Sequence, residues 1–533
     1  MRKWLLILFL LPLVFIACNR NKIVKIERDI SITPKNSVTR LAVDSLQMEQ
    51  YIQKQQLTDS AAQYLRNFYN SRNFQYAWLA EKGLTEQARV FYQLNKDYVD
   101  SFRDSSLLDV DLDKHMELLL KEDTTFKKSD SSLTNLELKL TSHFFNYVAT
   151  AYEGKVNPEV IQWHIPRKKL SAVVLLDSLM ANKNLKADEW EPVNQQYRQL
   201  KKELQHYYTL QNEENWPTIP IGNQKKYQVG DTGLTVSLVK QRLKAFGDTS
   251  IKDTVTEFDQ DLKTAVKNTQ QQYGLRSTGT IDAALLKELN VPIQQRIEQM
   301  LINLERMRWM PVMPAGKSIL VNIPEYQLHI IEEHKQVFNM GIVVGKAANK
   351  TVIFSNKLRN IVFSPYWNIP ASIVRAEILP AMKRNSNYLR SKNMEQTGTS
   401  NGLPMVRQKP GDNNSLGRVK FLFPNSYDIY FHDTPAKSLF SEEKRAFSHG
   451  CIRLAQPVKL ATYLLADQPS WTPERIAKAM KSTKEIWVAL KKPVPVFITY
   501  FTAWVDQNGR LNFRDDIYGH DQKMAEQLFL ATK

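Results

Sequence analysis

Residues 430–454 read Tyr-Phe-His-Asp-Thr-Pro-Ala-Lys-Ser-Leu-Phe-Ser-Glu-Glu-Lys-Arg-Ala-Phe-Ser-His-Gly-Cys-Ile-Arg-Leu and hold Cys451, the one cysteine outside the amino-terminal leader. A thiol attacks as thiolate, so a cysteine nucleophile needs a base or a positive field beside it, and histidine supplies either near neutral pH. Two histidines flank this one, His432 and His449. The alternation Tyr427, Ile429, Phe431 predicts a strand that delivers His432 at its end. Gly450 lets backbone approach a substrate oxygen beside Cys451. Taken singly, a cysteine is more often a small buried hydrophobe than a nucleophile, and it is the surrounding pattern that favours chemistry. A zinc site of His432, His449 and Cys451 is the alternative, and the absence of C-x-x-C and H-x-x-x-H spacing argues against it; no metal and no cofactor is expected.

The arrangement of His432, a spacer, Ser448-His449-Gly450-Cys451 and then Arg453 resembles the active site of the L,D-transpeptidases, the YkuD-like cysteine enzymes that cross-link peptidoglycan. That resemblance implies Cys451 as nucleophile and His432 as its base. Gly450, His449 and Ser448 become oxyanion or supporting residues. It puts Arg453, Tyr430, Trp367 and Asn368 on the substrate, with a surface ion pair as the alternative for Arg453.

Strand periodicity extends upstream of the motif. It begins at Ser318 with Ile319, Val321 and Ile323, continues through Tyr326, Leu328 and Ile330, and reaches Gly341-Ile342-Val343-Val344. Gly345-Lys346 is a turn and not a phosphate loop, because Gly341 is one residue too close and Ala347 stands where Ser or Thr would bind magnesium. Ser364-Pro365-Tyr366-Trp367-Asn368-Ile369-Pro370 is similar to a segment near the groove of the YcbB-type members of the family. From 373 to 420 the chain turns polar and irregular, a long loop of the functional kind. By resemblance it is a mobile substrate-capping insertion. Downstream, helices are expected through Ala461–Leu465 and Pro473–Lys481, then closing strands around the Asn508-Gly509 turn.

Towards the amino terminus, Trp216, Pro217 and Pro220 mark a boundary. Beyond it three apolar faces, Val236-Val239-Leu243, Phe258-Leu262-Ala265-Val266 and Ile281-Leu285-Leu289, punctuated by Gly274 and Gly279, resemble a three-helix peptidoglycan-binding module over 222–292. A spacer that has lost ligand binding is the alternative. The connecting helix occupies 293–316, the catalytic domain 317–495 and a closing hairpin 496–533. Residues 41–220 read as helical, with Leu136, Leu140, Phe144, Tyr147 and Val148 on one face. Tyr76, Trp78, Gly154, Pro158 and Trp163 are similar to landmarks of the scaffold region of YcbB-type enzymes and are read as core. The expected fold class is therefore multidomain α+β: a helical scaffold, a small helical module and a mainly β YkuD-like domain with a capping insertion.

The chain has 533 residues, too many for one ordinary core. Arg2 and Lys3 precede an apolar run from Trp4 to Ala17, shorter than the about 20 residues of a bilayer span and suited to an export signal. Phe15-Ile16-Ala17-Cys18 resembles a lipoprotein box, with Phe in place of the usual Leu, which implies lipidation at Cys18. An uncleaved signal anchor and a freely released protein are the alternatives. Residues 19–40 read as a flexible tether. The net charge of +17 calls for an acidic partner or surface, or else is a solvated basic surface. Export, dispersed basic residues and the lack of a recognisable motif argue against nucleic acid.

Taken with the resemblance, these features imply a periplasmic, membrane-anchored lipoprotein that acts on peptidoglycan stem peptides and glycan in cell-wall biogenesis and cell shape. The implied reaction forms 3-3 cross-links through a Cys451 thioester, with release of terminal D-alanine. An L,D-carboxypeptidase that uses water as acceptor, and a non-catalytic wall-binding lipoprotein, are the alternatives.

Overall fold

The computed structural model describes residues 25–529, apart from 34, 36, 38, 122–124, 127–129, 169, 182–192, 213–215, 223 and 252–255. Cys18 and the apolar leader lie outside the described residues, and no helix among the described residues is long and apolar enough to cross a membrane. The chain divides into two compact units, 1–149 with 170–191, and 150–169 with 192–533.

The first unit is helical. Asp44, Thr58, Thr85 and Asp130 cap the helices Ser45–Lys54, Asp59–Ser71, Glu86–Phe102 and Ser131–Val148 by accepting from backbone amides of the first turn. Phe68, Trp78, Phe91 and Phe144 fill its core, and the Phe91 and Phe144 rings meet edge to face at 5.2 Å. Glu137 is wholly buried among them. Its Oε1 accepts from the amide of Ala77 at 2.5 Å and the Tyr69 hydroxyl at 3.0 Å, and its Oε2 from the amides of Trp78 at 3.1 Å and Leu79 at 3.2 Å.

The second unit is built on one sheet. Its strands are β1 (Trp163–His164), β2 (Ser318–Asn322), β3 (Gln327–Glu332), β4 (Lys335–Gly345), β5 (Ile353–Phe363), β6 (Val419–Leu422), β7 (Phe431–His432), β8 (Ile452–Leu454) and β9 (Ile486–Thr499). Their order is β6-β7-β8-β4-β3-β2-β9-β5-β1, and β6 also pairs with β5, so eight of these strands close into a ring. Alternation explains the inner face: Ile319, Val321, Leu328, Ile330, Ile342, Val344 and Ile361 are buried. A short strand, Ala446–Ser448, runs parallel to the end of β4.

Segments 150–169 and 192–220, grouped with the scaffold on sequence, pack with this second unit: β1 extends the sheet beside Ile353 and Phe354. The three helices of the small module are Leu234–Ala245, Gln260–Gln272 and Ala283–Leu289, and all three expected apolar faces are buried. Helix Ile293–Trp309 follows, with Arg306 fully buried and paired to Asp521 at 2.7 Å. The expected hairpin is present as Ala503–Val505 and Leu511–Phe513 around Asn508-Gly509. The stretch before it belongs instead to β9, which runs unbroken through residue 495 and pairs with both β2 and β5.

Two expectations are corrected. Residues 373–420 are not an irregular loop. Helical turns over 371–384 and a three-stranded sheet of Trp367–Asn368, Leu403–Gln408 and Met394–Ser400 enclose a core of their own, made of Ile369, Val374, Ile378 and Val406. The asparagines and glycines that suggested a loop include turn residues at positive φ, Gly402 and Gly417. The strand expected from Tyr427 is also shorter, Phe431–His432 alone. Asn425 Oδ1 accepts from the amides of Tyr427 and Ile429, and Asp428 sits at φ 56°, so the chain turns where side-chain alternation suggested extension.

Candidate active site

A groove of about 680 Å³ opens where β7, β8, the turn after β4 and the start of the insertion meet. It is lined by nine of the ten residues nominated from sequence: Trp367, Asn368, Tyr430, His432, Ser448, His449, Gly450, Cys451 and Arg453. Cys18 is the tenth and lies outside the described residues.

His432 is placed by strand pairing on both sides. β7 is antiparallel to β6, with His432 opposite Lys420, and parallel to β8, with His432 beside Arg453. Its Nδ1 is 2.5 Å from the carbonyl oxygen of Asp433. A carbonyl only accepts, so Nδ1 carries the proton and Nε2 is left as the acceptor. The Asp433 carboxylate is engaged elsewhere, accepting from the Arg418 amide at 2.8 Å and from Lys437 Nζ at 2.5 Å. Burial, helped by the Arg453 charge, lowers the imidazole pKa to about 4.

Cys451 is half-buried, and its thiol donates to the carbonyl of Asp428 at 3.3 Å. Burial raises the thiol pKa to about 11 against the opposing pull of the Tyr430 hydrogen bonds. Both shifts favour the neutral form of the group concerned.

The turn that carries the thiol is cross-braced. Ser448 Oγ accepts from the Gly450 amide at 3.1 Å and donates to the Cys451 carbonyl at 2.6 Å. Gly450 has φ 117°, a backbone state that a side chain would strain. His449 turns away to the insertion, where its Nε2 is 3.0 Å from Glu377 Oε1. Arg453 lines the groove, and its Nε is buried with no hydrogen-bond partner among the described residues.

Sequence reasoning missed Glu377, Lys350, Asp428, Ser415 and Leu416, which share this lining. They come from four separate segments and carry no local pattern.

Residues 316–496 match the L,D-transpeptidase catalytic domain of the YkuD family. Residues 232–289 match a family described as "Putative peptidoglycan binding domain", and residues 63–204 one described as a scaffold domain. A Haemophilus influenzae protein named "Putative L,D-transpeptidase" is 33% identical over 243 residues, which are 43% of this chain and 49% of that protein. The chain thus spans about half the length of this curated relative. Among solved structures, an L,D-transpeptidase from Stackebrandtia nassauensis aligns at 14% identity over 54% of this chain and 97% of its own, with TM-score 0.22. One from Xylanimonas cellulosilytica aligns at 14% identity over 54% of this chain and 100% of its own, with TM-score 0.17.

Proposed function

We propose that this chain, which carries an L,D-transpeptidase catalytic domain of the YkuD family and a peptidoglycan-binding domain, is a YcbB-type peptidoglycan L,D-transpeptidase that forms 3-3 cross-links. The observation that carries the reading is that one groove, inside the matched segment, is lined by both a thiol and a histidine whose Nδ1 is fixed by a backbone carbonyl. Cys451 Sγ attacks the carbonyl carbon of the third stem residue while His432 Nε2 takes the thiol proton. The amide of Cys451 stabilises the oxyanion. Collapse breaks the amide bond, the proton on Nε2 passes to the leaving D-alanine amine, and a thioester remains. The side-chain amine of a second stem then attacks the thioester, gives its proton to His432, and the thiol is re-formed. Arg453 holds a carboxylate of the donor stem, with Tyr430, Trp367 and Asn368 along the groove. The folded insertion covers the donor, fastened by Glu377 to His449. The peptidoglycan-binding module supplies wall contact. The chain is exported to the periplasm and anchored through lipid on Cys18.

Incubation of the purified protein with a disaccharide-tetrapeptide monomer, followed by mass spectrometry, tests this. The expected products are a dimer lacking one D-alanine, and free D-alanine. Tripeptide alone would make water the acceptor and the protein an L,D-carboxypeptidase. No product from the intact chain under conditions where Cys451 is reduced would leave a wall-binding protein and overturn the reading.

A further inference from the structure

Thr351 and Tyr518 have no place in the chemistry above, yet they meet at the turn that carries the thiol. Thr351 is buried, and its Oγ1 donates to the carbonyl of Gly450 at 2.8 Å while accepting from the Gly345 amide at 2.9 Å. Tyr518 is also buried. Its hydroxyl donates to the carbonyl of Gly345 at 2.6 Å and accepts from the Thr351 amide at 3.2 Å. Lys350 Nζ donates to the Tyr518 carbonyl at 2.6 Å, and the Tyr518 amide donates to the Tyr500 hydroxyl at 2.9 Å. The 345–351 turn has no slack: a Cβ on Gly345 would fall 2.0 Å from the Asn349 carbonyl oxygen.

The Gly450 carbonyl and the Cys451 N–H are two ends of one planar peptide group, and no peptide bond among the described residues is cis. In a trans peptide these two bonds point in opposite directions. Anchoring the carbonyl on Thr351 therefore aims the Cys451 amide away from Thr351. That amide is the oxyanion donor of the proposed reaction, and this inference rests on that reading. We infer that Thr351, held in turn by Tyr518, is a positioning residue for the oxyanion hole. The segment after residue 496, beyond the matched catalytic domain, thereby becomes part of the site, through side chains that never touch substrate.

Two reactions of Cys451 separate this role from a merely structural one. Acylation by the tetrapeptide donor or by a carbapenem passes through a tetrahedral oxyanion. Alkylation by iodoacetamide forms the S–C bond as iodide leaves and builds no oxyanion. In the full chain, Thr351→Val and Tyr518→Phe should each slow acylation about 10- to 100-fold, below the about 10²–10³ of losing an oxyanion donor outright. Alkylation of Cys451, located by peptide mass mapping, should stay within about 2-fold, and Thr351→Ser should restore acylation. Unchanged acylation in both valine and phenylalanine variants overturns the inference, as does an equal fall of both reactions, which marks general damage to the fold. A wild-type protein that is alkylated at Cys451 but acylated by neither donor overturns the parent reading instead.

Discussion

Around Glu137 both carboxylate oxygens are engaged, by three backbone amides and a tyrosine hydroxyl, all buried. Around Cys451 the thiol is half-buried, its histidine has one nitrogen committed, and Arg453 Nε is sealed from water with no partner among the described residues. Both clusters remove polar groups from solvent. The first sets hydrogen bonds on both oxygens against the loss of hydration, which still raises the Glu137 pKa to about 7. The second lines a groove and leaves one histidine nitrogen uncommitted among the described residues. Satisfied polar burial holds a chain in shape, and incomplete polar burial beside a cavity marks where another molecule completes it.

The largest test of this contrast is at the two histidines of the groove. His432→Ala should slow acylation of Cys451 by about 10²–10⁴-fold, the usual cost of a lost general base. His449→Ala, which breaks only the contact to Glu377, should cost less than about 10-fold. Acylation rates followed by intact mass, on variants whose circular dichroism is unchanged, decide it; the reverse order would make His449 the base.

A second test strikes the satisfied cluster. Glu137→Ala strands the amides of Ala77, Trp78 and Leu79 and opens a cavity, so it should cost about 3–5 kcal/mol. Hydrogen exchange at those amides should accelerate accordingly. Protection equal to wild type would show that the carboxylate is not what holds this backbone.

The smallest effect is a displaced pH limb. With its folded pKa lowered to about 4 by burial and by Arg453, His432 remains a neutral base well below the ordinary histidine range. Acylation should be level from neutrality down to about pH 5, then fall towards tenfold per unit below about 4. The same shift weakens the fold in acid: between the unfolded value near 6.5 and about 4, the unfolded chain takes up a proton that the folded imidazole refuses, so stability is lost as pH falls. Rates are therefore read where circular dichroism is constant. A limb near 6.5 would place His432 in contact with water and erase the contrast.

The motif residues were legible because most of them fall in two contiguous runs, 430–435 and 448–453, and strand pairing brings those runs side by side. Helical faces such as Val236-Val239-Leu243 were legible from spacing alone. Through-space partners were not: Glu377 against His449 and Thr351 against Gly450 join positions whose neighbours in sequence give no hint of each other. The insertion misled for a different reason. Its core residues Val374, Ile378 and Val406 are few and are shared between helical turns and strands, so neither period lasts long enough to stand out against the turn-forming asparagines and glycines. Closure of the sheet into a ring, through β5 and β6, likewise has no local signature.

β9 comes last of the sheet strands in the chain and lies between β2 and β5, parallel to the one and antiparallel to the other. During synthesis, β2 and β5 exist before the strand that joins them, each with an unmet edge. Closing such distant pairings carries a large loop entropy, and a sheet of this topology is expected to form slowly, with the strand at 486–499 completing it.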